Sequence, residues 1–159
     1  METATQPECD PAGLSKEMVL GEIELASDPG NEMQAMEAVV GMVAPLHLTG
    51  EILERVKTAV AESTMNAMEH GNGFRKEIPV QIRVTTGQNR LVISVCDQGG
   101  ERESSPADVP DLEAKLAGLQ SPRGWGLFLI EHMVDEMQVR REGIYHIVNL
   151  IFNLPGKPA

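Results

Sequence analysis

Glu62, Asn66 and Glu69 follow one another at spacings of four and three residues, which on an α-helix lines their polar tips along one ridge. From Glu62 to Asn66 is one turn, about 6 Å along the axis. Leu53, Val56, Val60 and Ala67 recur at helical spacing beside that ridge and mark a face turned toward a core. A carboxylate and a carboxamide this close to a buried face are costly unless something pairs with them, and a metal-nucleotide would pair with both. Asp97 is a second candidate. Alternation through Leu91 to Asp97 puts Leu91, Ile93, Val95 and Asp97 on one side of a strand, the side that packs under helices and the wrong place for an idle charge. A third lies at Arg123-Gly124-Trp125-Gly126, which runs into the apolar stripe Leu127, Ile130, Met133, Val134 and Met137. A glycine-flanked helix start is a ready anion site.

A chain of 159 residues suits one domain with one sizeable core. Its net charge of −11 at pH 7 argues against direct contact with nucleic acid or an anionic membrane, because no basic field draws phosphates in from a distance. Any bound phosphate is therefore held locally, by backbone N–H groups, a helix N-terminus, a metal ion or one well-placed Arg. Cys9 and Cys96 are far apart and have no zinc-like spacing, which fits a reducing interior. No basic-then-apolar leader and no run of bilayer length is visible, so the expected compartment is the cytoplasm. The four histidines, His47, His70, His132 and His146, lack ligand spacing.

The elements that must position these groups read as follows. Residues 1–15, with Pro7, Pro11 and Gly13, form a tail, and residues 16–159 form the single domain. Met18 to Leu25 is an edge strand. Asp28 to Asn31 is a turn that starts a helix by side-chain capping, running from about Glu32 to Ala44 with Met33, Met36, Val39, Val40 and Val43 buried, and Pro45 stops it. Thr49 caps the central helix, Glu51 to Gly71, where Gly71 is the left-handed terminal residue. Ile78 to Thr85 and Leu91 to Asp97 pair as a hairpin across Thr86 to Asn89. From Gln98 to Arg123 periodicity lapses, as in a lid or binding loop. The helix Leu127 to Met137 follows, then a hairpin of Glu136 to Arg141 and Tyr145 to Asn153 about Gly143.

Taken singly, Glu62 and Asn66 suit a solvated helix face, Asp97 a strand end, and Gly124 with Gly126 a tight turn. Their order is more specific. AESTMNAMEHG at 61–71, VCDQG at 95–99 and RGWGLFLIEHMVDEM at 123–137 resemble the N box and the two glycine boxes of the GHKL ATPases. The form E-x-x-x-N-A-x-x-H-G, the D-Q-G and the G-x-G-L-F-L-I-x-x-x-x-D-E run narrow the resemblance to the anti-sigma-factor serine/threonine kinases, over roughly Val19 to Phe152. The resemblance implies an α/β (α+β) two-layer sandwich, the Bergerat ATP-binding fold, with a mixed, mostly antiparallel sheet, helices on one face, and ATP between them under a lid at about 98–123.

By the same resemblance Asn66 holds Mg2+ against the phosphates, Asp97 accepts the adenine amine, and Glu62 takes the proton of the attacking serine hydroxyl. Gly99, Gly124, Gly126 and the adjoining Leu127 let the nucleotide approach, and Arg123 touches its phosphates. The last position of the first glycine box is Glu101, where many GHKL proteins have glycine. The implied activity is phosphorylation of a serine on a small anti-sigma-factor antagonist of STAS type, alternating with sequestration of a sigma factor, by a protein that is often a homodimer. Two other readings stay open: a non-catalytic module whose binding surface is set by nucleotide, and a catalytic domain serving a separate histidine-containing subunit.

Overall fold

A computed structural model describes residues 18–100 and 125–155, the side chains of 125–127 excepted. The expected tail 1–15, the expected lid beyond Gly100, Arg123 and Gly124 lie outside the described residues, and Gly126 and Leu127 are described as backbone only. The helices are α1 (Asn31–Val43), α2 (Gly50–Asn66, continued by a π-helical turn Ala67–Gly71) and α3 (Trp125–Met133), with a 3-10 turn at Ala44–Leu46. The strands are β1 (Met18–Leu25), β2 (Val80–Gly87), β3 (Arg90–Asp97), β4 (Glu136–Glu142) and β5 (Tyr145–Asn153), and they form one sheet in the order β1-β2-β3-β5-β4.

Every strand pairing is antiparallel. The described residues therefore show the antiparallel character that was expected without the parallel pair that "mixed" allowed. β3 and β4 do run in the same direction across α3, but β5 returns between them and pairs with both, so that crossover makes no parallel ladder.

Helices cover one face of the sheet. α2 packs between α1 and α3, and its Val56, Ala59 and Val60 meet Ile82, Val84, Leu91, Ile93, Val95, Leu150 and Phe152 from the sheet and Val39 and Val43 from α1 in one core. Burying a side chain of this size contributes about 1.5–3 kcal/mol. These residues fix which face of β3 lies inward, and Asp97 lies on it.

Local chemistry explains most of the boundaries. Thr49 caps α2 as its hydroxyl suggested, with Oγ1 accepting from Ile52 N at 3.3 Å. α1 is different, because no side chain caps it. Its N-cap is Gly30 at φ 104°, whose N–H donates to Glu32 Oε2 at 2.8 Å, while the Asn31 amide instead reaches back to Ala26 O. The buried row of α1 is Ala35, Val39 and Val43, and Met33 is exposed. Two residues of helix turn the chain by about 200°, so Met33 cannot share a face with Ala35.

Two further expectations shift. The hairpin between β2 and β3 closes on just two residues, Gln88 (φ 48°) and Asn89 (φ 62°), and Gly87 still pairs with Arg90. Two successive left-handed residues match the right-handed twist of the flanking strands. α3 ends at Met133 rather than Met137. The Asp135 N–H donates to Ile151 O at 2.9 Å and Glu136 pairs with Ile151, so sheet pairing takes over where the apolar stripe fitted either period.

Candidate functional site

Asp97 is the most constrained charge in the described structure. It ends β3 with a side chain only 4% exposed, and each carboxylate oxygen has one partner. Oδ1 accepts from Gly99 N at 2.8 Å and Oδ2 lies 3.1 Å from His146 Nδ1. An ionised carboxylate offers about four acceptor positions, so capacity remains for a further donor. A Cβ built on Gly71 would overlap the Asp97 carboxylate, and one on Gly99 would sit 2.9 Å from the Gly71 Cα and carbonyl oxygen. Two chain segments thus come together above Asp97 at positions where any side chain would displace it.

This gives Gly71 a different use from the one its position suggested. Its φ is not positive; the left-handed residues are Gly73 (φ 60°) and Phe74 (φ 55°). α2 instead ends by widening, with Asn72 N donating to Ala67 O at 2.9 Å and Phe74 N to Met68 O at 2.7 Å. Such single π turns recur at functional sites. Here the turn carries Gly71 onto Asp97 and takes Glu69 out of the α-helical register of Glu62 and Asn66. Glu69 Oε2 lies 3.9 Å from His70 Nε2.

Glu62 and Asn66 remain one turn apart on α2, both half-buried. Neither side chain has a hydrogen bond or ion pair among the described residues, and the buried hydroxyls of Ser63 and Thr64 between them are also without a hydrogen-bond partner. Two partly enclosed polar groups left unpaired in this way suit an external ligand. No cluster of three or more His, Cys, Asp or Glu able to hold a metal ion occurs among the described residues. The side-chain oxygens of Glu62 and Asn66 are hard donors of the kind Mg2+ takes at nucleotide sites, where one or two protein oxygens are joined by phosphate oxygens and water.

Asn72 joins the parts. It is fully buried, its Nδ2 donates to Ser27 Oγ (3.0 Å), Ile78 O (3.2 Å) and Pro79 O (3.3 Å), and its Oδ1 accepts from Gln98 N at 2.8 Å. One side chain therefore ties the end of α2 to the loop after β1, the approach to β2 and the first residue after Asp97. Gly100 N in turn donates to Ile144 O at 2.9 Å, which fastens the start of the expected lid to the β4–β5 turn. At the other end of α2, Arg55 donates to Met133 O (2.8 Å) and pairs with Asp135 (3.2 Å), whose Oδ2 accepts from Asn153 N. α3 is thereby held to α2 and β5.

The structure brings Asp97 and Gly99 together with Gly71 and His146, and places Glu62 and Asn66 along α2. Gly126 and Leu127 lie in the first turn of α3, and Arg123 and Gly124 lie outside the described residues. Sequence reasoning passed over His146, Asn72 and the true role of Gly71. His146 could have been found only from strand register, which sets it opposite Asp97.

Residues 25–152 match the model of the histidine kinase-like ATPase domain family. The chain is 32% identical over 126 residues to an anti-sigma F factor of Pasteuria penetrans, covering 75% of this chain and 79% of that one. It is 28% identical over 103 residues to the serine-protein kinase RsbW of Bacillus velezensis, covering 63% of this chain and 64% of the relative. Among solved structures it resembles the RsbU and RsbW domains of Rv1364c from Mycobacterium tuberculosis, with a TM-score of 0.57 at 20% identity over 87% of this chain. The chain spans about a third (34%) of the length of that protein, and the likeness concerns the fold.

Proposed function

Because the chain belongs to the histidine kinase-like ATPase family, in the branch of the anti-sigma-factor kinases, we propose that it is an ATP- and Mg2+-dependent protein serine kinase. Its substrate would be a serine on a small anti-sigma-factor antagonist of STAS type, and in its other state it would hold a sigma factor away from transcription. The observation that carries the reading is the Asp97 carboxylate, buried under Gly71 with acceptor capacity to spare. A buried charge with room for one more donor suits the exocyclic amine of adenine and disfavours a 6-oxo group, which would set oxygen against oxygen.

The remaining residues take the roles that their places in the three motifs suggest. Asn66 would supply a protein oxygen to Mg2+, which when bound neutralises phosphate charge and aligns the terminal phosphoryl group. Glu62, one turn earlier on the same ridge, accepts the proton of the serine hydroxyl. Gly99, Gly124, Gly126 and Leu127 let the nucleotide lie close to the backbone, Arg123 meets the phosphates, and residues 98–123 act as the lid of a single domain spanning 16–159. A homodimer and a cytoplasmic location belong to the same proposal. Among the described residues no helix is long and apolar enough to cross a membrane.

A transfer assay with labelled ATP and a candidate antagonist tests this reading. Phosphate is expected on serine, and Glu62→Gln is expected to slow transfer by about 10²–10⁴ while nucleotide affinity, read by calorimetry, stays within about twofold of the parent. Transfer surviving Glu62→Gln removes the proton-acceptor role. Tight ATP binding with partner capture and no transfer to any protein selects the nucleotide-gated binding module instead, and acid-labile phosphate on the partner selects histidine chemistry.

A further inference from the structure

We infer that His146 is a positioning residue that clamps the Asp97 carboxylate and so sets how strongly the site prefers adenine over a 6-oxopurine. The inference rests on the proposed reading of Asp97 as the acceptor of the adenine amine. Strand register makes His146 the direct partner of Asp97 across β3 and β5, on the face turned toward the helices, and Nδ1 lies 3.1 Å from Oδ2. A carboxylate only accepts, so Nδ1 carries the proton in this contact. Gly99 N holds Oδ1 at 2.8 Å, and Gly71 closes off the space where a side chain would stand.

The carboxylate is therefore gripped at both oxygens and confined from one side. Its orientation is thereby fixed, and with it the directions of the lone pairs left unused on the two oxygens, which is what discrimination between a donor and an acceptor at position 6 of a purine requires. Held by Gly99 alone, the group is free to swing about its last torsion, a broad two-fold rotor. It would then still accept from an amine but would resist a carbonyl less. The His146 side chain is 27% exposed where that of Asp97 is 4% exposed, so the ring reaches the surface while the carboxylate it holds does not.

The test compares Mg-ATP with Mg-inosine triphosphate, which differs in carrying a carbonyl in place of the amine, by calorimetry on the full chain. His146→Leu removes the donor, and His146→Asn restores one, because its amide nitrogen falls near the position of Nδ1. The parent is expected to prefer ATP by about tenfold or more, the size of a hydrogen bond to a charged group. His146→Leu should lose most of that preference and His146→Asn should keep most of it. A parental ratio in His146→Leu overturns the inference. Loss of the ratio in both variants overturns it too, since a donor at that position would then not be what matters.

Asp97→Asn separates this failure from failure of the underlying reading. An unchanged ratio in Asp97→Asn means that Asp97 does not read the base at all, whereas a ratio lost there and kept in His146→Leu removes the clamp alone. Should His146→Leu not fold, the imidazole nitrogen resonances of the parent decide. A protonated Nδ1 whose signal moves in Asp97→Asn supports the clamp, and a bare Nδ1 overturns it.

Discussion

Gly71 and Asp97 show how little tolerance the site has at the scale of single residues. Added carbon at Gly71 has no flexible neighbour to push aside, because the carboxylate it would strike is already held by Gly99 and His146. Overpacking of this sort costs about 1–3 kcal/mol. Gly71→Ala is therefore expected to lower the thermal midpoint by several degrees and to weaken Mg-ATP by more than about tenfold, since Asp97 must turn away. An alanine variant that binds ATP like the parent would show that the carboxylate can move freely. The placement of Glu62 and Asn66 one turn apart on α2, and of Asp97 on the inner face of β3, was legible in the sequence because helical spacing and strand alternation are local properties. The partner of Asp97 was not, since His146 is 49 residues away and is brought in by pairing of strands that no local pattern aligns.

At the scale of elements, the decisive feature is how α2 ends. Sequence spacing reads on as a regular helix to Gly71, and nothing in Ala67 to Gly71 announces a wider turn. The turn delivers the fully buried Asn72 to its partners, with bonds to Ser27, Ile78, Pro79 and Gln98. Asn72→Ala takes this partner from Gln98 N and Pro79 O, while Ser27 Oγ still donates to Ile78 O at 2.6 Å; a buried group left unpaired costs about 1–3 kcal/mol, and urea unfolding is expected to show a loss in that range. Asn72→Asp keeps an acceptor for Gln98 N while losing the donors. It should cost comparable stability yet retain more of the nucleotide affinity, because Gln98 leads directly into Gly99. Equal affinities in the two variants would break the link between this hub and Asp97. The end of α3 was obscured for a related reason: Met133, Val134 and Met137 fit a helical stripe, and only the pairing of Glu136 with Ile151 shows that the chain has already joined the sheet.

For the molecule as a whole, net charge works against its proposed ligand. With −11 on the chain, a nucleotide is repelled at long range, and affinity must come from local contacts. Raising ionic strength from about 0.01 M to about 0.15 M shortens the Debye length from about 30 Å to about 8 Å. The association rate of Mg-ATP in stopped flow is therefore expected to rise with salt, opposite to the behaviour of a basic phosphate-binding site. A rate that falls with salt would mean that a local positive field dominates. The order of the elements was readable in advance from amphipathic period and turn composition, whereas the two-layer fold with helices on one face came from the resemblance carried by the three motifs. That no parallel pairing occurs among the described residues followed only from the place of β5 in the sheet.

That place has a consequence for biosynthesis. β5, an interior strand flanked by β3 and β4, is the last described element to leave the ribosome, and it carries both His146 and the centre of the core, Leu150 and Phe152. A nascent chain that has completed β1 to β3 and α2 already possesses Glu62, Asn66 and Asp97, yet it lacks the strand that supplies the partner of Asp97. Until β5 is free to pair, such a chain leaves the edge of β3 open, the kind of half-built sheet that aggregates or recruits chaperones.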